Sequence, residues 1–404
     1  MDFPRFFAVV TAAVCVGACV ETPPPFEVEL VDIPAGTPAK GPRLSGGSGG
    51  PLVVSWMEED EDGVALLYSH FSTDAWSAPT TVVDGINMFA NWADMPSVQP
   101  MRDGHLVAQW LEKSADLTYA YDVVLAQSAD NGTTWSEPVR PHSDGTPTEH
   151  GFVSMWGDGS RTGLIWLDGR KMVNEAGDDP TATGMTLRAA FIDRESVILN
   201  EQLVDELICD CCQTDIAVAA SGPVAAYRNR STAEIRDIYV TRFVDGAWQP
   251  GVPLAEDNWE IPGCPVNGPS ISASGNFVAA AWFTAAGGEP KVKLRISADG
   301  GTSFGDVVEV DSGKVLGRVG TAAIGENEAA VSWLRTAEDG SNELAVRRYS
   351  ASGPPGETRI VARGVGSFSV PQIGLSGEDL VFVWTETEER VNTIHSARVP
   401  VAAL

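Results

Sequence analysis

The chain is poor in positive charge. Its 404 residues hold 27 Lys and Arg against 55 Asp and Glu, a formal net charge of -28. A surface that tracks phosphates needs clustered cations, so this balance excludes nucleic-acid binding and docking on anionic lipid headgroups. It describes a solvated, self-repelling surface, with cation binding by acidic loops such as Glu58-Glu59-Asp60-Glu61-Asp62 as the other use of the charge. Histidines are few and scattered, at positions 70, 105, 142, 150 and 395. There is no Ser-His-Asp nucleophile pattern, no phosphate-binding glycine loop and no dinucleotide fingerprint. Amphipathic helix periodicity of any length is also absent. Long apolar runs are missing except Phe6 to Val16, which is too short to span a bilayer as a mature helix.

That run follows Arg5 and ends in Val16-Gly17-Ala18-Cys19, which resembles the lipobox of bacterial lipoproteins. The resemblance implies a signal peptide over residues 1–18 and a lipidated Cys19. Residues 19–25 then form a tether, because the prolines after Glu21 favour an extended, PPII-like chain. An ordinary secretory signal with an incidental Cys is the alternative. By the same resemblance, Val20 rather than Asp after the Cys points to the outer membrane. The mature chain is expected to be lipid-anchored to the bacterial cell envelope, touching the membrane only through the anchor.

What is present in abundance is a repeat. A run of strand formers closing on an aromatic recurs as Val53-Val54-Ser55-Trp56, Val107-Ala108-Gln109-Trp110 and Gly163-Leu164-Ile165-Trp166. It returns as Val224-Ala225-Ala226-Tyr227, Ala279-Ala280-Ala281-Trp282, Ala330-Val331-Ser332-Trp333 and Val381-Phe382-Val383-Trp384. Successive aromatics stand 54, 56, 61, 55, 51 and 51 residues apart. Each is flanked by further strand candidates bounded by Gly, Asp and Pro. The period suits a four-stranded propeller blade. The fold class predicted is all-β: a single β-propeller over residues 26–404, seven-bladed, with six blades plus an accessory piece as the alternative. The seventh repeat holds three strands, and the segment Phe26 to Val31 is expected to close it as the fourth.

Two turns sharpen the assignment. Ser128-Ala129-Asp130-Asn131-Gly132-Thr133-Thr134-Trp135 and Ser297-Ala298-Asp299-Gly300-Gly301-Thr302-Ser303-Phe304 resemble the Asp box of sialidases and related BNR-repeat propellers. The Asp accepts backbone N–H groups inside a tight turn, and the Gly adopts a conformation that other residues avoid. The resemblance implies the fold, and a glycoside hydrolase as one functional reading. Sialidases bind the substrate carboxylate with three arginines and use a Tyr nucleophile, an assisting Glu and an Asp acid/base. Their opening Arg-Ile-Pro is absent here, since Asp32 precedes Ile33-Pro34.

Placed on the blade scheme, the unusual residues converge. Segments 168–171 and 227–237 leave second strands, while 209–215 and 259–269 cross between blades. All four therefore fall on one face of blades 3–5, and the crossing loop with His142 and His150 shares that face. Arg170, Arg228, Arg230 and Arg236, with Asn267, are the expected ligand-binding set, because guanidinium suits carboxylate or phosphate recognition. Pairing of Arg230 with Glu234 and of Arg236 with Asp237 is the structural alternative. If the protein is an enzyme, Tyr227, Glu234, Asp168 and Asp237 are the candidate catalytic residues of an exo-sialidase-like reaction.

Cys209, Cys211, Cys212 and Cys264 form an even set in an exported chain and predict two disulfides, Cys264 pairing with Cys211 or Cys212. The tight C-x-C-C spacing leaves a soft metal site, Cu or Zn, as the other reading. No other cofactor is expected. The expected partner is an acidic glycan or an envelope protein.

Overall fold

The computed structural model describes residues 24–47, 50–173 and 180–404. The signal segment, Cys19 and the first part of the tether lie outside the described residues. Seven antiparallel sheets form a ring, one for each aromatic repeat. In blade 1 the strands run Ala39–Gly46, Leu52–Glu59 and Val64–Ser72, with Thr80–Ile86 outermost. Blade 2 has Ser97–Pro100, Leu106–Lys113 and Tyr121–Ser128, and its outer edge is one bridge between Leu125 and Val139. Blade 3 begins with His150–Asp158, blade 4 with Asp215–Ala219, blade 5 with Ser270–Ser274 and blade 6 with Val315–Ile324. The six-bladed alternative is therefore set aside.

Closure works as expected. In blade 7, Gln372–Ser376, Asp379–Glu388 and Val391–Pro400 are joined by Glu29–Val31 from the other end of the described chain. Leu30 pairs with Ala397, and Arg398 reaches Glu29 at 2.8 Å. The N-terminal strand thus covers part of the outer edge of Val391–Pro400 at the seam.

The repeat aromatic has a reason beyond size. Trp56, Trp110, Trp166, Trp282, Trp333 and Trp384 are all buried, and each indole Nε1–H donates to a carboxylate. Tyr227 does the same with its hydroxyl, to Asp205 at 2.7 Å. A large ring fills the space between neighbouring blades, and the acid satisfies its one polar atom where water cannot. In four blades that acid sits two residues on, as Glu58, Glu112, Asp168 and Glu386, on the same face of the strand. Truncating such a ring costs about 3–5 kcal/mol.

The two resembling turns share one hydrogen-bond scheme. The Asp130 carboxylate accepts Thr134 N–H at 2.9 Å and the Ser128 hydroxyl at 2.8 Å, while Asp299 accepts Ser303 N–H at 2.8 Å and the Ser297 hydroxyl at 2.7 Å. The Thr134 backbone N–H, then its hydroxyl, hold Asp130 down to about 2. Gly132 has φ +86°, and a Cβ there would lie 1.8 Å from the Tyr68 hydroxyl of the preceding blade. The turn therefore locks one blade onto the next.

Candidate functional site at the crossing-loop face

Three of the four segments singled out in the sequence, 209–215, 227–237 and 259–269, come together. Cys209 N–H donates to the Arg228 carbonyl, Arg236 N–H to Trp259 and Ile261 N–H to Glu234. These backbone bonds knit 207–213, 228–237 and 258–268 into one layer over blades 3–5. The side chains inside that layer are committed to one another. Arg170 holds Asp168 through two contacts of 2.7 and 2.8 Å and also reaches Glu201 at 2.8 Å. Arg230 and Arg236 share Glu234, and Arg236 adds Asp210 at 3.0 Å. Arg228 is buried under the Trp259 ring and donates to the carbonyls of Arg236, Asn267 and Phe283. Of the two alternative pairings, Arg230–Glu234 is made and Arg236–Asp237 is not, because Asp237 instead accepts Asn258 and Trp259 N–H at 2.9 and 3.0 Å.

None of the four candidate catalytic residues lines the central cavity of the ring. Tyr227 lies in the blade core on Asp205, and burial raises its hydroxyl well above the ordinary range. Asp168 is fully buried; burial opposes its ionisation, but Arg170, His150 and Trp166 outweigh it and keep the carboxyl below its usual value. Of the residues proposed from the sequence for catalysis or ligand binding, Asn267 alone lines the central channel. Its side chain is spent on the loops, donating to Leu316 O and accepting Arg318 N–H at 2.8 Å.

The two expected disulfides are not shown. Cys209 and Cys212 stand 3.3 Å apart, far beyond an S–S bond of about 2.05 Å. Cys264 is exposed and bonded to none of them. The thiols gather instead: Cys209, Cys211 and Cys212 lie within 4.8 Å of one another.

The channel itself was not legible from the repeat. It is a cavity of about 550 Å³ lined by the inner strands of the ring. Three arginines line it, and two of them, Arg43 from blade 1 and Arg318 from blade 6, stand beside register breaks of inner strands. Among the described residues neither makes an ion pair. Arg43 feels the buried carboxyls of Asp94 and Asp215 at a distance, whereas Arg318 has no carboxylate near it. Burial lowers Arg318 to about 10, so it stays charged at neutral pH, and its Nη1 has no partner. The guanidinium lies 5.0 Å over the Trp92 ring, which meets the exposed Phe368 edge-on at 5.2 Å.

Local backbone explains how these side chains are aimed. The inner strands of blades 1, 3 and 6 break register near their starts. Gly41, Phe152 and Arg318 each take positive φ there, at +64°, +54° and +52°. A bulge re-aims the residue beside it, and for Phe and Arg the left-handed conformation is strained. Phe152 N–H donates to Asp94 at 2.7 Å as a result. Burial lifts Asp94 to about 8, and it lifts the neighbouring Glu149 to about 7 against a 2.5 Å hydrogen bond from Tyr121.

A second polar cluster flanks the layer. His142 and His150 stack at 3.9 Å, with Asp122, Asp144 and Asp168 around them, and His150 Nε2 lies 3.3 Å from Asp144. Burial, then His150, lowers His142, so its neutral imidazole is favoured.

No family model matches the chain, and no curated protein matches it. Similar solved structures exist. One is a protein of unknown function from Dyadobacter fermentans, with TM-score 0.51 and 12% identity over 93% of this chain and 99% of that chain. Others are NanB sialidase from Streptococcus pneumoniae (TM-score 0.48, 8% identity, 93% and 95% covered) and a PL25 ulvan lyase (0.45, 12%, 79% and 80%). At these identities the likeness describes the propeller fold, which hosts many functions.

Proposed function

We propose that this chain is an envelope-displayed binding propeller whose channel mouth captures an acidic glycan. The observation that carries the reading is Arg318, a buried cation that pairs with no carboxylate in a chain of net charge -28. A buried unpaired charge is costly, and a carboxylate ligand relieves that cost. The neighbouring Trp92 and Phe368 offer faces on which the C–H side of a sugar ring stacks, which favours a glycan over a purely ionic ligand. Arg43 supplies a second positive group across the channel. The arginines of the loop layer act as braces in this reading. The lipid anchor at Cys19, and with it an outer-membrane address, belongs to the same proposal.

The exo-glycosidase alternative has less support. Tyr227, Glu234, Asp168 and Asp237 are each engaged in separate contacts, and none lines the channel. The test is calorimetric titration of the detergent-purified full chain with uronate and sialic-acid oligosaccharides, beside neutral ones of equal length. Acidic oligosaccharides are expected to bind, and Arg318→Gln to weaken them about tenfold or more by removing charged hydrogen bonds. Equal binding of neutral sugars, or indifference to Arg318→Gln, overturns the reading. Release of a free sugar during the titration would instead restore the hydrolase.

A further inference from the structure

We propose that Cys209, Cys211 and Cys212 form a three-coordinate site for a soft monovalent metal ion, Cu(I), with Cys264 and Asp210 as its outer capture point. The inference does not rest on the glycan reading. Its basis is the spacing and surroundings of the sulfurs.

Cys209 lies 3.3 Å from Cys212 and 3.8 Å from Cys211. Thiolates sharing one ion at bonds of about 2.3 Å stand roughly 3.8–4.0 Å apart, so the three thiols are close to a ligand arrangement and far from a disulfide. Cys209 and Cys212 are buried and Cys211 is half-buried, so the site is screened from water. Donor number selects the ion. Cys264 comes within 4.8 Å of Asp210 and Cys211 but does not join the inner trio, and no His lies in either group. Structural zinc takes four ligands, whereas three thiolates alone suit Cu(I).

Charge fits as well. Three thiolates around one Cu(I) leave an excess of negative charge, which buried sites tolerate only beside cations. Arg236 Nη1 donates to Cys209 at 3.4 Å, and the fixed Arg228 guanidinium acts on both Cys209 and Cys212. Glu234 and Asp210 hold Arg236 in place. The two trios share Cys211. An ion caught at the exposed Cys264, Cys211 and Asp210 thus has a ligand in common with the buried site and passes inward by ligand exchange, each step releasing the thiol proton as its metal–sulfur bond forms.

The full chain, reduced and purified anaerobically in detergent, is titrated with Cu(I) against a colorimetric Cu(I) chelator. The expected result is one ion per chain, with a first shell of three sulfurs by X-ray absorption. Bound Cu(I) should shield Cys209, Cys211 and Cys212 from alkylation and leave Cys264 reactive, a readout that needs no variant. Cys212→Ser is expected to lose stoichiometric binding, and Cys264→Ser to keep it but load more slowly. An oxidised pair that persists in the untreated protein with no copper uptake after reduction overturns the site. So does a four-sulfur shell holding zinc in preference to Cu(I), or alkylation that copper does not alter. Sugar titrations of Cys211→Ser separate this site from the channel, because Cys212 is the thiol that acts on Arg318 and acidic-glycan binding should survive the loss of Cys211.

Discussion

The two faces of the ring are built by opposite rules. On one face the turns at 128–135 and 297–304 repeat the same Ser-to-Asp and N–H-to-Asp bonds in blades far apart in sequence. On the other, each crossing loop differs, and its polar groups are satisfied from neighbouring blades rather than locally. Arg228 reaches across to Asn267 and Phe283, and Phe152 binds Asp94 from another blade. The repeating face is a local solution that each blade makes on its own. The irregular face is a collective one, and such long-range polar contacts leave charges, thiols and strained residues where a ligand can use them.

The comparison breaks most visibly at Arg228. Arg228→Met removes a buried guanidinium that serves several carbonyls, and should cost on the order of 4 kcal/mol in chemical denaturation. Arg230→Ala removes one half-exposed partner of Glu234 and should cost less than about 1 kcal/mol. If the two losses are equal, the loop layer is not held from within.

A pH series sharpens the same contrast. Asp94 is lifted from 3.8 to about 8 by burial, so the folded chain holds this proton longer than the unfolded chain does. Its contribution to stability is intact below pH ~4 and is lost as pH rises through about 8. Glu149 acts in the same sense over a narrower window, up to about 7. Asp94→Asn keeps the acceptor for Phe152 N–H and cannot ionise. Its denaturation midpoint should therefore fall less steeply between pH 4 and 8 than that of the parent protein, and parallel curves would remove Asp94 from this account.

The smallest effect is expected on the regular face. Asp130 is held down to about 2 by the Thr134 backbone N–H and hydroxyl, so its help is present above pH ~4 and fades as pH falls toward 2. Asp130→Asn should lower the melting temperature slightly and leave sugar binding at the channel unchanged. A loss of binding would show that the two faces communicate.

Much of this was legible in the chain and some was not. The spacing of Trp56, Trp110, Trp166, Tyr227, Trp282, Trp333 and Trp384 was enough to count the blades, because each ring fills the same slot between sheets. The missing fourth strand of the last blade pointed to the segment Phe26 to Val31, of which Glu29–Val31 forms the strand. Loop order alone was enough to bring the segments around Cys209, Arg228 and Trp259 to one face. It was not enough to say which arginines were free. Arg170, Arg228, Arg230 and Arg236 stood out by sequence density, yet neighbours such as Asp168 and Glu234 occupy them. Arg43 and Arg318 look ordinary in the sequence, since nothing in Gly41-Pro42-Arg43 or Gly317-Arg318 announces a channel.

The physical reason is range. Periodicity, turn chemistry and burial of one aromatic per repeat are local properties, and sequence by itself determined the propeller and its closure. Counter-ions, sulfur–sulfur distances and the opening of the channel depend on which side chains meet from different blades. Only the closed ring decided that Arg318 would face Trp92 without a carboxylate, and that three cysteines would stand near one another without bonding.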